Sequence, residues 1–240
     1  MNNPAPAGER LLIIVPAYNE EGAIPGVIRE INAILPGKPV LVIDDCSTDG
    51  TRNLAYAHGA HVLPLPHHLG LGGCVHAGYK LAFELGFDYV IRVDGDGQHD
   101  PHGIPVILDR LKSTGCQMVI GSRYLNGNTE GYTSAARGIG IRLFRAILKP
   151  ILGKDVTDPT SGFVGVNREA LALFSRSFPL EYPEIEALVV LQRKRFRFEE
   201  VHCEFRPRRT GQSSITAVRS LRYMVYVLLG VFVNILRIRR

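Results

Sequence analysis

Over the first two thirds of the chain, short apolar runs alternate with longer stretches whose apolar residues recur every three or four positions. The former read as strands and the latter as helices. Leu11–Val15 predicts a strand, Glu20–Leu35 a helix, Val40–Ile43 a strand ending in Asp44 and Asp45, and Thr48–His58 a short helix. His61–Leu65 predicts a further strand, and Leu71–Leu85 a helix opened by the loop His67–Gly73. A strand at Tyr89–Val93, a helix near Pro101–Ser113 and a strand at Met118–Gly121 follow. Such alternation implies an α/β domain, a mainly parallel central sheet flanked by helices.

After Arg123 the pattern changes. Leu125–Thr133 is rich in Gly and Asn and predicts a mobile loop, Ser134–Leu152 a basic amphipathic helix, and Phe163–Val166 a strand. Helices are expected at Glu169–Ser175 and Glu184–Arg195, and Phe198–Phe205 alternates like an antiparallel edge strand. A Gly/Ser/Arg loop leads into a last helix at about Thr216–Leu236. Its apolar core, Met224 to Ile235, falls short of the ~20 residues that span a bilayer. Arg219 and Arg222 flank it on one side, and Arg237, Arg239 and Arg240 on the other. The pattern fits a helix lying on an anionic membrane surface, or one packed in an interface.

Composition changes this picture little. At 240 residues and 45% hydrophobic content the chain can bury a substantial core. The net charge of +5 is modest, but basic residues crowd the last third. Without Trp or a basic–aromatic module this does not point to nucleic acid; anionic lipid or a phosphate-bearing substrate fits. Cys46, Cys74, Cys116 and Cys203 are far apart and read as reduced thiols. Residues 1–10 read as a disordered lead, 11–214 as the catalytic domain and 215–240 as a docking or interface helix.

The chemistry gathers at strand ends, where open α/β sheets bind ligands. In Asp94-Gly95-Asp96-Gly97-Gln98, positions i, i+2 and i+4 of an extended segment point the same way. Asp94, Asp96 and Gln98 then offer three oxygens to one hard cation, Mg²⁺ or Mn²⁺, completed by phosphates and water. An acidic turn solvated at a strand end is the plainer alternative. In Val15-Pro16-Ala17-Tyr18-Asn19-Glu20-Glu21, Tyr18 is placed to stack on a base; Asn19 reads as a helix cap and Glu20 and Glu21 as first-turn acids. In Asp44-Asp45-Cys46-Ser47-Thr48-Asp49-Gly50-Thr51, one acid is free for a base N–H, and Ser47 or Thr48 caps the next helix. The His67–Gly73 loop offers backbone N–H groups to anions, with His67 and His68 as loop polar residues.

Taken together, VPAYNEE, DDCSTDGT, GLGG, DGDGQHDP, GSRY and DPTSGF, in this order and spacing, resemble the family 2 glycosyltransferases of GT-A fold. Within that family the likeness is to polyprenyl- and dolichyl-phosphate sugar transferases, whose Arg-x-x-Gly-x-Ser element is matched by Arg208–Ser213. The resemblance implies an inverting, metal-dependent transfer of a sugar from a UDP- or GDP-linked donor. Pro16, Tyr18, Glu20 and Asp45, with Asp94, would hold the nucleotide, and Asp94, Asp96 and Gln98 the metal. Arg123, Arg137 and Arg208, with Ser213, would receive phosphates. Asp158, Thr160, Ser161 and Gly162 would line the sugar pocket.

A polyprenyl phosphate acceptor is already an anion and needs arginines rather than a base. A hydroxyl of a lipid-linked glycan would need one, and Glu184 occupies the place where hydroxyl-using relatives keep theirs. Asp96, Arg123 and Arg208, with Glu184, are thus the catalytic candidates. One departure stands out: lipid-phosphate members place Ser four residues after the second arginine, where this chain has Ile141. The implied setting is cytoplasmic, peripheral on the inner face of the cytoplasmic membrane, with room for a homo-oligomer or a small membrane-protein partner. The rival from another class is a catalytically silent, membrane-associated nucleotide-binding protein.

Overall fold

The structure, a computed structural model, describes residues 10–125 and 145–207. Residues 1–9 of the expected lead, residues 126–144 with Arg137 and Ile141, the Arg208–Ser213 element and the helix expected at the C-terminal end lie outside the described residues.

A seven-stranded mixed sheet organises the chain, in spatial order β3-β2-β1-β4-β6-β5-β7. Its strands are β1 (Leu11–Ala17), β2 (Val40–Asp44), β3 (His61–Pro64), β4 (Tyr89–Arg92), β5 (Met118–Ser122), β6 (Val164–Asn167) and β7 (Phe198–His202). β1 pairs parallel with β2 and β4, and β2 with β3. The expectation of an α/β domain with a mainly parallel sheet is met. The exception is β6, which enters between β4 and β5 and runs antiparallel to both. β7 is an edge strand, as expected, but pairs parallel with β5 rather than antiparallel. The alternation of Phe198–Phe205 reports a half-buried edge and carries no information on direction. Past β7 the chain makes one antiparallel bridge, Phe205 to His99.

The helices are α1 (Ile24–Ile34), α2 (Thr51–Ala57), α3 (Gly70–Glu84), α4 (Gly103–Thr114), a fifth, α5, over residues 145–152, α6 (Arg168–Arg176) and α7 (Pro183–Arg193). β1 shows why its run is continuously apolar. Leu12 and Ile14 enter a core with α3, α6 and α7, while Leu11, Ile13 and Val15 enter a second core with α1 and α4. A strand covered on both faces has no polar side to show.

Helix starts depart from expectation. α1 begins at Ile24, with Pro25 in its first turn and no acid there, so Asn19 does not cap it and Glu20 and Glu21 precede it. Asn19 takes a left-handed φ of 54° instead. α2 begins at Thr51, and Asp49, not Ser47 or Thr48, accepts from the Thr51 N–H at 3.0 Å.

Candidate active site

The carboxyl ends of β1, β2 and β4 bring the motifs together. The loop after β1 and the loop after β2 are laced to each other. Asn19 N–H donates to Ser47 Oγ at 3.0 Å, Thr48 N–H to Asn19 Oδ1 at 2.8 Å, and Glu20 N–H to Thr51 Oγ1 at 2.8 Å. Gly50 N–H donates to Glu21 Oε2 at 2.8 Å. Tyr18 remains exposed, its ring 4.2 Å from that of His68. These two rings form a platform at one end of the site.

Both acids of the Asp44–Asp45 pair already have partners within the protein. Asp44 is fully buried and accepts from Arg52 Nε at 2.8 Å and Nη2 at 2.7 Å. Asp45 accepts from Leu69 N–H at 2.7 Å and Gly70 N–H at 2.9 Å, and lies 2.9 Å from His68 Nδ1. The start of α3 does attract an anion, as its amides predict, but that anion is Asp45 itself. The sequence does not show that two such motifs, 25 positions apart, are partners.

The Asp94–Gln98 stretch sits where expected but is a turn, not an extended segment. β4 ends at Arg92, Gly95 N–H donates to the Pro16 carbonyl at 3.2 Å, and Gly97 adopts a φ of 74° that glycine takes without strain. Asp94, Asp96 and Gln98 therefore sit on one turn rather than along one face of an extended strand. Gln98 N–H donates to Asp96 Oδ1 at 3.0 Å. Among the described residues no three His, Cys, Asp or Glu side chains form a metal cluster of their own. Two carboxylates and an amide are instead the hard-oxygen set that Mg²⁺ or Mn²⁺ takes when phosphates complete its shell, so these residues fit such an ion.

Beneath the turn lies a buried charge network the sequence reading passed over. Arg92, 2% exposed, donates from Nε to Asp94 Oδ1 at 2.8 Å and from Nη1 to Glu184 Oε1 at 2.9 Å. Burial opposes the guanidinium charge, but the carboxylates of Asp94 and Glu184 outweigh it and raise its proton affinity. For Asp94, burial favours the neutral acid, yet Arg92 and then His99 hold its carboxyl below the ordinary 3.8. His99 accepts the Asp94 N–H at Nδ1, 3.0 Å away, and stacks on Phe163 at 4.9 Å. Burial lowers its pKa, despite the pull of Asp94 and Asp96. A signal for the network existed: a charged residue within the apolar run Tyr89–Val93 must be paired if that run is buried.

The Asp158–Gly162 loop supports the site more than it lines it. Asp158 is 1% exposed and accepts from Arg123 Nε at 2.8 Å and Nη2 at 3.0 Å. Burial disfavours the Arg123 charge, but these bonds outweigh it and raise its pKa. Its guanidinium also lies 4.8 Å over Phe205. Ser161 is buried and donates to the Gly121 carbonyl at 2.7 Å. A Cβ on Gly162 would lie 2.5 Å from Arg92 Nη2 and 2.6 Å from Asp94 Oδ2. Of the four residues expected in a sugar pocket, Thr160 alone is exposed. Glu200 of β7, unremarked in the sequence, anchors the loop by accepting from the Thr157 N–H at 2.8 Å and the Asp158 N–H at 2.9 Å.

The last described residues return to the turn. Arg206 N–H donates to the Gln98 carbonyl at 2.7 Å, and its Nη2 lies 3.1 Å from Asp100 Oδ1. Arg137, Arg208 and Ser213, the other expected phosphate ligands, lie outside the described residues.

Comparison with known proteins identifies the family. Residues 12–174 match the model of glycosyl transferase family 2. The chain is 32% identical over 167 residues to the undecaprenyl-phosphate mannosyltransferase of Micrococcus luteus, covering 68% of each chain. It is 30% identical over 169 residues to the polyprenol monophosphomannose synthase of Mycolicibacterium smegmatis, covering 68% of this chain and 63% of that one. Glucosyl-3-phosphoglycerate synthase from Mycobacterium tuberculosis, solved with Mn²⁺, UDP-glucose and phosphoglyceric acid, superposes with a TM-score of 0.73 at 26% identity. That match covers 94% of this chain and 80% of the other. The fold is therefore GT-A-like, and the chain belongs to glycosyl transferase family 2 and is a glycosyltransferase.

Proposed function

We propose that this glycosyltransferase moves a sugar, with inversion, from a UDP- or GDP-linked donor to a polyprenyl phosphate, using Mg²⁺ or Mn²⁺. The observation that carries the acceptor choice is the 2.9 Å bond from Arg92 to Glu184. The carboxylate best placed by sequence to deprotonate a hydroxyl is 10% exposed and bound by a fully buried cation. An acceptor that arrives as an anion needs no such base. The names of the two relatives support the same acceptor.

In this reading Tyr18 and His68 face the base, with Pro16 and Glu20 beside the nucleotide, and Asp45 sets the loop against which it lies. Asp94, Asp96 and Gln98 hold the divalent ion, which stabilises charge on the departing diphosphate. Arg123, oriented by Asp158, adds positive charge on that side, and Arg137, Arg208 and Ser213 receive acceptor or donor phosphate. Thr160 contacts the sugar.

No helix among the described residues is long and apolar enough to cross a membrane. The proposed setting is the inner face of the cytoplasmic membrane, with the basic segment Arg219–Arg240 on anionic lipid. The test is a transfer assay over labelled UDP- and GDP-sugars with Mn²⁺ and undecaprenyl phosphate, with undecaprenol as control. The reading predicts label in the organic phase for one donor class and only with the phosphorylated lipid. Donor binding without extractable label from any donor would move the acceptor to a glycan hydroxyl.

A further inference from the structure

We propose that Glu184 is a positioning residue for the metal turn, acting on Asp94 through Arg92, rather than the base of a sugar transfer. The inference rests on the proposed role of Asp94 and Asp96 at the metal and deepens it. Arg92 bridges the two carboxylates: its Nε lies 2.8 Å from Asp94 Oδ1 and its Nη1 2.9 Å from Glu184 Oε1. The three groups come from separate places in the chain, β4, the turn after it and the first turn of α7. The bridge spans 92 positions of sequence.

The geometry fits this role in three respects. Val90 and Arg92 alternate with Ile91, so Arg92 leaves β4 on the face covered by α3, α6 and α7, where Glu184 waits. Apart from Arg92, the groups packed around Glu184 on this side include Tyr79, Phe174, Phe178 and Pro183, and the gap between them is too small to admit a sugar. Gly162 packs against both Arg92 and Asp94 too closely to admit a Cβ, so backbone closes one side of their contact.

The electrostatic consequence follows from where the charges sit. An arginine bonded to one metal carboxylate draws electron density from that ligand and competes with a cation for it. Glu184 shares the arginine's charge and so leaves more of the Asp94 charge to the metal. It also fixes the fork, and through it the aim of Asp94. Groups of this kind, one bond removed from a metal ligand, shift affinity by about 10–100-fold when changed.

The test measures Mn²⁺ binding by electron paramagnetic resonance, in the presence of UDP and, separately, GDP, alongside turnover as a function of Mn²⁺. For Glu184→Gln, isosteric and still able to accept from Arg92, Mn²⁺ affinity is expected to fall about 10-fold. Turnover should return as Mn²⁺ is raised. Glu184→Asp, which keeps the charge, should recover part of the affinity, and thermal denaturation of each variant controls for folding. Unchanged Mn²⁺ affinity in Glu184→Gln, with turnover lost at every Mn²⁺ concentration, would overturn the inference and make Glu184 the base. If wild type took up no Mn²⁺ with either nucleotide, the metal reading would fail first and the inference with it.

Discussion

Arg123 grips Asp158 through two parallel hydrogen bonds, Nε to Oδ2 at 2.8 Å and Nη2 to Oδ1 at 3.0 Å. The pair joins the end of β5 to the loop before β6, and the acid is 1% exposed while the arginine side chain is 26% exposed. Asp158→Asn turns an amide N–H₂ toward the fork and strands a mostly buried cation. Breaking such a pair costs about 3–5 kcal/mol when both partners are buried, and solvent at Arg123 places this one near the lower bound, about 2–3 kcal/mol. Urea unfolding measures it; a loss below about 1 kcal/mol would mean the pair acts as a surface ion pair.

Asp45 ties down the loop before α3 with two amide acceptors, one per oxygen. Asp45→Asn keeps one acceptor and sets its N–H₂ against the other amide, at a cost of about 1–3 kcal/mol. Hydrogen exchange should quicken at Leu69 and Gly70 while the amides of β1 stay protected. Equal protection at Leu69 and Gly70 in the variant would remove Asp45 from this role.

Gly162→Ala puts a methyl into the Arg92–Asp94 contact. Neither partner can swing away without abandoning a charged partner, so strain of about 1–3 kcal/mol falls on the Asp94–Gln98 turn. The expected outcome is a folded protein, by circular dichroism, whose Mn²⁺ affinity is weaker by about 10-fold or more. A folded variant with wild-type Mn²⁺ affinity would show that the contact does not reach the metal.

The four cysteines should separate by burial. Desolvation pushes the Cys74 and Cys203 thiols up to about 12 and raises Cys116 as well, so all three stay protonated and unreactive near pH 8. Cys46 is the one that is half-exposed. Iodoacetamide at pH 8 followed by peptide mass spectrometry is expected to label Cys46 first, and all four only in denaturant. Rapid native labelling of Cys74 would contradict the packing of α3 against β2.

The order of elements and the placing of motifs at strand ends were legible because they depend on local pattern. Apolar runs, turn glycines and the Asp94–Gln98 string each declare themselves within a few residues. What could not be read depends on pairing at a distance. The insertion of β6 between β4 and β5 follows from packing, and no residue of Phe163–Val166 announces its direction. The partners of Asp45, Leu69 and Gly70, are not legible because they offer only backbone amides, which every sequence has. The position of Glu184 in the chain suggests a base, and its pairing with Arg92, 92 positions away, is one that no local pattern shows. The turn at Gly97 replaces the extended segment expected over Asp94–Gln98, and the same three residues remain the proposed donors.

The most direct measurement is label transfer to undecaprenyl phosphate by wild type, Asp96→Ala and Glu184→Gln, each with excess chelator, then with saturating Mn²⁺. The account predicts extractable label from wild type and Glu184→Gln only when Mn²⁺ is present, and none from Asp96→Ala. Transfer by wild type in excess chelator, or by Asp96→Ala at saturating Mn²⁺, would contradict a metal-dependent reaction centred on the Asp94–Gln98 turn.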